Sequence, residues 1–124
     1  DGECVTIHSN KEKTKAGSRF YINTDDVADA VLFLIKNGTS GDKYNIVGKQ
    51  EVDNLQLAQM VAKIMNKELI YEMVDFHTSR PGHDLRYALD GTKMKEMGWE
   101  PKVTIEKRLE QVVNWYLKNN KWLL

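Results

Sequence analysis

Short runs rich in β-branched residues alternate along the chain with longer stretches in which apolar residues recur every three or four positions. The short runs are typical of strands, and the longer stretches are typical of amphipathic helices. A polar, lysine-rich segment at 9–18 is predicted to be a solvated loop or hairpin tip. The predicted strands cover residues 4–8, 19–23, 43–47 and 69–74, with a further extended segment at 86–90. This alternation predicts an α/β fold, or α+β as an isolated piece, with at least four strands and four helices.

The first predicted helix follows the second strand directly. Thr24 is a suitable N-cap, and Asp25 and Asp26 place carboxylates at the positive end of the helix dipole. Metal binding or acid–base chemistry is the alternative interpretation of these carboxylates, but helix capping explains them more simply. Gly38 is expected to end the helix in the left-handed conformation. The apolar stripe of this helix is predicted to consist of Val27, Val31, Leu34 and Ile35.

Two further helices carry their own start and stop signals. Asp53 is predicted to cap the second helix, with Gln56 completing a capping box. Residues 91–97 are predicted to form a short helix that Gly98 closes. The apolar stripe of the second helix consists of Leu57, Val61, Ile64 and Met65.

The last predicted helix begins after Thr104, which serves as its N-cap. Apolar residues at helical spacing give it one buried face. We expect Trp115 and Trp122 to dock this helix onto the body of the protein. The stripe itself consists of Leu109, Val112, Val113 and Tyr116.

Composition narrows the class of protein. The 124 residues are enough for one domain, 1–124, and 18 basic residues balance 18 acidic ones. A balanced charge argues against a nucleic-acid or anionic-membrane partner, and the longest apolar run, residues 30–35, is too short to span a bilayer. The single cysteine, Cys4, fits a reducing, cytoplasmic setting. Because Asp1 is not an initiator methionine, we expect the sequence to be a piece of a longer protein.

Most catalytic signatures are missing from the sequence. His8, His77 and His83 lack partners at metal-ligand spacing, which predicts that the chain holds no metal. There is no nucleophile elbow and no P-loop, and residues 38–41 fail as a dinucleotide fingerprint because they precede a predicted strand instead of following one. No tyrosine has a lysine four residues later. We therefore expect this chain to supply no catalytic and no cofactor-binding residue.

One loop combines chemistry with a defined geometry. Pro81 presets φ and Gly82 supplies the positive φ of a type II turn, so Arg80 and His83 become its outer residues. A guanidinium beside an imidazole suits a phosphate. A surface turn with solvated charges is the alternative, and turn chemistry alone favours it.

A second polar position lies inside a predicted strand. Asn45 is unusual there, because asparagine is depleted in strands and a buried amide must find partners. Those partners belong either to the protein or to a ligand. Gly48, at the end of the same run, leaves room for a ligand or for a turn.

Three motifs resemble those of the extended short-chain dehydrogenases. Residues 17–30 are similar to the segment of that family that carries an arginine, a strand and a capped helix. Residues 43–48 are similar to its Tyr-Asn-Ile-Gly-Gly strand, with Val47 in place of the first glycine. The most specific match is Arg-Pro-Gly-His-Asp at 80–84, followed by Gly-Trp-Glu-Pro at 98–101 and Trp-Tyr-Leu at 115–117. This combination resembles the dTDP-glucose 4,6-dehydratases within the family.

The resemblance implies that the chain is the C-terminal third of such an enzyme, with strands and helices that complete a Rossmann-type sheet. The NAD fingerprint, the Tyr-x-x-x-Lys pair and the acid–base carboxylates would lie upstream. NAD would be the cofactor of the parent enzyme, a dTDP-hexose its substrate and a homodimer its assembly. The resemblance places four residues at nucleotide- and diphosphate-binding positions: Arg19, Asn45, Arg80 and His83.

Two alternatives remain open: a piece of a related sugar-nucleotide epimerase or decarboxylase, and a stand-alone binding or interaction module. In the favoured reading the isolated chain binds dTDP or UDP weakly and turns over no dTDP-glucose, even with added NAD. The apolar stripes of its first two helices would lack the sheet that they cover in the parent. We therefore expect self-association or rearranged packing.

Overall fold

The computed structural model describes residues 2–79, 82 and 84–122, and the architecture in this part of the chain is a mixture of helices and short strands. This confirms the predicted fold class. In chain order the strands and α-helices are β1 (Val5–Ser9), β2 (Ser18–Arg19), α1 (Thr24–Asn37), β3 (Val52–Asp53), α2 (Asn54–Ile64), β4 (Tyr71–Asp75), α3 (Phe76–Ser79), β5 (Arg86–Tyr87), α4 (Thr92–Glu96) and α5 (Ile105–Lys118). A 3-10 helix, Asn120–Trp122, follows α5.

The strands form two small sheets. β1 and β4 are parallel, in a register that runs from Val5 opposite Tyr71 to Ser9 opposite Asp75. The second sheet has the order β3-β2-β5, with β2 antiparallel to β3 and parallel to β5. This second sheet lies next to residues 84–85, because β5 begins directly after them.

The ends of α2, α4 and α5 confirm the helix start and stop signals predicted for them. Asp53 and Gln56 form the expected capping box at the start of α2. The Thr104 hydroxyl accepts from the Lys107 amide at 3.4 Å at the start of α5. Gly98, just beyond α4, has the left-handed φ of +94° that a helix stop requires.

Two predictions at the ends of α1 are wrong. The N-cap is Asn23, whose side-chain oxygen accepts from the Asp25 amide at 2.8 Å, so Thr24 is already helical. Gly38 is extended, with φ −76° and ψ 152°, instead of left-handed. A Cβ at Gly38 would lie 2.6 Å from the carbonyl oxygen of Leu34. Glycine is therefore required here for close backbone approach and not for a positive φ.

The predicted strand at 43–47 forms no ladder within the described residues. The alternation of polar and apolar residues in this segment reflects its partial burial. A strand also needs a neighbouring strand to which its backbone can hydrogen-bond, and the alternation does not show whether one is present. Contacts to the α4 region hold the segment instead: the Asn45 amide donates to the Asp90 carbonyl at 2.9 Å, and the Lys93 ammonium donates to the Lys43 carbonyl at 3.1 Å. Of the predicted strand at 19–23, only Arg19 lies in a strand, the two-residue β2.

The core lies between α1, α4 and the segment that follows α4. Ala30, Met94 and Trp99 are its buried centre, and the Trp99 indole donates to the Asp29 carboxylate at 2.9 Å. The face of α1 that packs here includes Ala30 and Leu34, while Val31 is exposed and Ile35 is 75% exposed. The predicted stripe of α1 is therefore only partly buried. Periodicity locates a helix but does not tell which of two adjacent apolar faces is covered.

The aromatic residues near the end of α5 also differ from expectation. Trp115 and Trp122 are 49% and 62% exposed, and their ring centroids lie 6.5 Å apart. They contact each other, and α5 instead buries Val113. No helix in the described ranges is long and apolar enough to cross a membrane.

Candidate functional site

The first of the predicted site residues, Arg19, lies on β2 in the middle of the three-stranded sheet. It pairs with Val52 of β3 on one side and with Tyr87 of β5 on the other. Its guanidinium carbon is 4.9 Å from the centroid of the Tyr87 ring, in a cation–π contact. Arg19 lines a small cavity of about 60 Å³ together with Asp84 and Leu85. The contact with an aromatic face orients the guanidinium without neutralising its charge.

Asn45 lines a second, larger cavity. This cavity has a volume of about 400 Å³, and Phe20, Lys49 and Lys95 are among its lining residues. Phe20 directly follows Arg19, but the two cavities have no lining residue in common. The structure therefore places Arg19 and Asn45 in two separate cavities.

Arg80 and His83, the other two predicted site residues, lie outside the described residues. Gly82, between them, has φ +85°, the conformation that a type II turn requires at that position. The loop then runs beside β2, because the Ser18 amide donates to the Leu85 carbonyl at 2.9 Å. The end of the loop is thus held next to Arg19.

A carboxylate connects the strands around Arg19. Glu51 accepts from Arg86 twice, at 2.7 Å from Nε and 2.9 Å from Nη2, and from the Ser18 hydroxyl at 2.6 Å. The hydrogen bonds from Arg86, and then the bond from Ser18, lower the pKa of Glu51 to about 2. The same contact raises the pKa of Arg86. Sequence reasoning missed Glu51, because only the folded chain brings residues 18, 51 and 86 together.

The segment that carries Asn45 is held by a second ionic contact. The Lys93 ammonium is 2.5 Å from Oδ2 of Asp42 and 4.3 Å from the centroid of the Tyr44 ring. The hydrogen bond from Lys93 is the main cause that lowers the pKa of Asp42. The Thr92 side chain and amide likewise lower the pKa of Asp90, next to the carbonyl that accepts from Asn45. These contacts fix α4 against the segment at 43–47.

Gly48 ends this segment in a tight backbone contact. A Cβ at Gly48 would overlap the carbonyl oxygen of Tyr21. The space that sequence reasoning left for a ligand or a turn is therefore filled by the backbone that follows Arg19. This contact sets the distance between the chain segments that bear Arg19 and Asn45.

The structure contains a third cavity that the sequence did not indicate. It has a volume of about 470 Å³, lies between α2 and α5, and is lined mainly by apolar side chains such as Leu57, Leu109 and Val112. The Asp26 carboxylate, at its edge, accepts from Arg108 at 3.0 Å and 2.6 Å. Asp26 is thus a buried ion-pair partner and not simply a residue of a solvated helix start. Among the described residues, no group of three or more His, Cys, Asp or Glu side chains is arranged to hold a metal.

Known proteins are similar to this chain over almost its whole length. It is 34% identical over 98% of its length to the dTDP-glucose 4,6-dehydratase of Xanthomonas campestris. It is 36% identical over 99% of its length to dTDP-glucose 4,6-dehydratase 1 of Escherichia coli K12. The chain is a C-terminal piece of an extended short-chain dehydrogenase. The family expected from the three motifs is thereby confirmed.

Solved structures of extended short-chain dehydrogenases share the fold of this piece. The dTDP-glucose 4,6-dehydratases of Bacillus anthracis, in complex with NAD, and of Streptomyces venezuelae, with NAD and dTDP bound, each superpose with a TM-score of 0.80 at 30% identity over 98% of this chain. The UDP-glucose 4-epimerase of Thermotoga maritima, with UDP-glucose, gives a TM-score of 0.75 at 32% identity over 95% of this chain. No protein-family model matches the chain.

The matched part is a minority of each relative. The chain spans 36% and 35% of the two dehydratase sequences and 36% of each of the three structures. The ligands in those structures are bound by much longer chains.

Proposed function

We propose that this chain forms the nucleotide-sugar-binding wall of a dTDP-glucose 4,6-dehydratase. The main support is the similarity to the Streptomyces venezuelae enzyme, with a TM-score of 0.80 and with NAD and dTDP bound. In this proposal NAD and the catalytic groups belong to the rest of the enzyme. The chain alone binds the nucleotide and does not catalyse the reaction.

Arg19 is proposed to bind the diphosphate. Its guanidinium offers several donors in a planar fork, which matches phosphate oxygens in a bidentate, charge-assisted arrangement. The contact with Tyr87 supports this role, because an arginine held over an aromatic ring keeps its positive charge available to an anion. Arg80 and His83 are proposed to add donors from the adjoining loop.

Asn45 is proposed to bind the nucleotide portion next to the diphosphate. Its amide nitrogen donates to the Asp90 carbonyl, which fixes the orientation of the side chain. The amide oxygen then serves as an acceptor for a base or ribose. The 400 Å³ cavity is lined by two lysines, Lys49 and Lys95, and by two carboxylates, Asp90 and Glu100, and Lys49 pairs with Glu100 at 3.1 Å. Its charges are balanced, so the proposed role of Asn45 rests on the amide itself.

A sugar-nucleotide epimerase is the second candidate for the parent activity. The similarity to the Thermotoga maritima UDP-glucose 4-epimerase, at 32% identity, favours it. The Arg-Pro-Gly-His-Asp sequence at 80–84 and the dehydratase relatives at 34% and 36% identity favour the dehydratase. A binding assay with both nucleotides distinguishes the two activities: tighter binding of dTDP favours the dehydratase, and tighter binding of UDP favours the epimerase.

Calorimetric titration with dTDP tests the proposed role of Arg19. We expect weak binding by the wild-type chain, since one wall of the cleft is present, and a further loss on Arg19→Ala. Removal of a charge-assisted contact costs about 1.5–3 kcal/mol, which is roughly a tenfold to hundredfold drop in affinity. Lys11→Ala, which removes the same charge from the exposed residues 11–15, is the control and should bind like the wild type. Equal affinity of Arg19→Ala and the wild type would contradict the proposal.

A further inference from the structure

We propose that Glu51 is a positioning residue that holds β5, and Leu85 just before it, in register with Arg19. This inference rests on the proposed function, since it assigns a role to a side chain that does not itself contact the nucleotide. The observation behind the inference is that the Glu51 carboxylate accepts three hydrogen bonds, between 2.6 and 2.9 Å, from Ser18 and Arg86.

The first step is that Glu51 connects strands that are not neighbours. In the order β3-β2-β5 the two outer strands have no ladder with each other. Glu51 immediately precedes β3, and Arg86 is the first residue of β5. The ion pair therefore spans β2, and the Ser18 hydroxyl attaches β2 to the same carboxylate.

The second step is that backbone pairing in this sheet is minimal. β2, β3 and β5 contain two residues each. Such short ladders supply few hydrogen bonds, and isolated strand pairs of this kind are marginal in water. The hydrogen bonds of Glu51 to Arg86 and Ser18 therefore add side-chain connections to the few backbone bonds that hold β5.

The third step connects β5 to the proposed ligand. Tyr87, the residue after Arg86, lies under the Arg19 guanidinium at 4.9 Å. Arg86 itself follows the loop that carries His83. A displacement of β5 consequently moves both the ring that orients Arg19 and the end of the loop that is proposed to bind the diphosphate.

The fourth step separates Arg86 from the binding residues. Glu51 accepts from two nitrogens of Arg86, and these hydrogen bonds lower the pKa of Glu51 to about 2, so the carboxylate stays ionised from neutral pH well into the acid range. The charge of Arg86 is thus compensated within the protein. Arg19, by contrast, contacts an uncharged ring, so the two arginines have different roles.

The test compares Glu51→Gln with the exchange variant Glu51→Arg/Arg86→Glu. The first measurement is hydrogen exchange of the Ser18 amide, which donates to the Leu85 carbonyl at 2.9 Å and reports the β2–β5 contact without any ligand. We expect Glu51→Gln to speed this exchange roughly three- to tenfold, since the pair is bidentate but partly exposed, while amides within α5 stay protected. The second measurement is dTDP affinity, which we expect to fall roughly tenfold in Glu51→Gln. The exchange variant should restore both values at least in part, because it reverses the pair and keeps the connection.

The control is Glu68→Gln, at an exposed carboxylate outside the sheet, and it should change neither measurement. Unchanged Ser18 exchange in Glu51→Gln would overturn the positioning role, even if the exchange variant fails to fold. Faster exchange with unchanged dTDP affinity would also overturn it, and would leave the proposed function intact. If the wild-type chain binds no dTDP, the proposed function fails, while Ser18 exchange still decides whether Glu51 positions β5.

Discussion

At the scale of single residues, the glycines show what a sequence can and cannot specify. Gly98 was expected to be left-handed and has φ +94°. Gly38 was expected to be left-handed as well but is extended, since it is needed where a side chain would meet the Leu34 carbonyl. Both positions are glycine, because the absence of a Cβ permits a positive φ and a close backbone approach equally. The residue type alone therefore does not tell which of the two is present.

Gly48→Ala is predicted to destabilise the protein. The new methyl group would overlap the Tyr21 carbonyl oxygen, and backbone cannot move aside as easily as a flexible side chain. Overpacking of this kind costs about 1–3 kcal/mol or more. Urea unfolding of the variant measures the loss of free energy of unfolding.

Gly91→Ala is the matched control for this substitution. A Cβ at Gly91 would lie 3.3 Å from side-chain carbons of Val47, which is tight but can be relieved by a small side-chain shift. We expect its cost to be below about 1 kcal/mol. Equal stability of Gly48→Ala and the wild type would show that the segments at 20–21 and 48 are not in close contact.

At the scale of secondary-structure elements, helix caps were predictable from the sequence, whereas contacts between elements distant in the chain were not. The capping box of Asp53 and Gln56 and the cap at Thr104 depend on residues within one turn, so the sequence contains the whole signal. The covered face of α1 and the exposed tryptophans at the end of α5 depend on which other elements are nearby. The ion pair between Asp26 of α1 and Arg108 of α5 belongs to this second class, because 82 residues separate its members.

Asp26→Asn is predicted to loosen the contact between α1 and α5. The side chains of Asp26 and Arg108 are 7% and 18% exposed, so the substitution leaves a guanidinium with little solvent to replace its partner. Loss of one member of a fully buried pair costs about 3–5 kcal/mol, and we expect about 2 kcal/mol or more here because the pair borders an open cavity. Denaturant titration measures the effect.

Asp25→Asn supplies the comparison within the same helix turn. Asp25 also contacts Arg108, at 3.3 Å, but its side chain is 75% exposed. Solvent screening limits such a contact to about 0–1 kcal/mol. Similar losses of stability in the two variants would contradict the assignment of Asp26 as the structural partner of Arg108.

At the scale of the whole molecule, the chain presents apolar surface on α1. Leu32 and Ile35 are 62% and 75% exposed on a helix whose other side packs in the core. Surface of this kind favours association with another apolar face. The expected self-association of the isolated chain stays a prediction.

The candidate site was only partly predictable from the sequence. Arg19 and Asn45 follow from the motifs at 17–30 and 43–48, since each motif is local. How far apart they lie depends on the Gly48–Tyr21 contact, which joins distant parts of the chain and which neither motif contains. Glu51 carried no local signal at all, because its partners lie 33 and 35 residues away.

The central proposal concerns where on this chain a nucleotide binds. Amide chemical-shift mapping by NMR during a dTDP titration tests it most directly. We predict that the largest shifts occur at residues 17–20, 45–48 and 84–87, around the cavities that Arg19 and Asn45 line. No shifts at saturating dTDP, or shifts confined to the cavity between α2 and α5, would contradict the assignment of Arg19 and Asn45 to the nucleotide site.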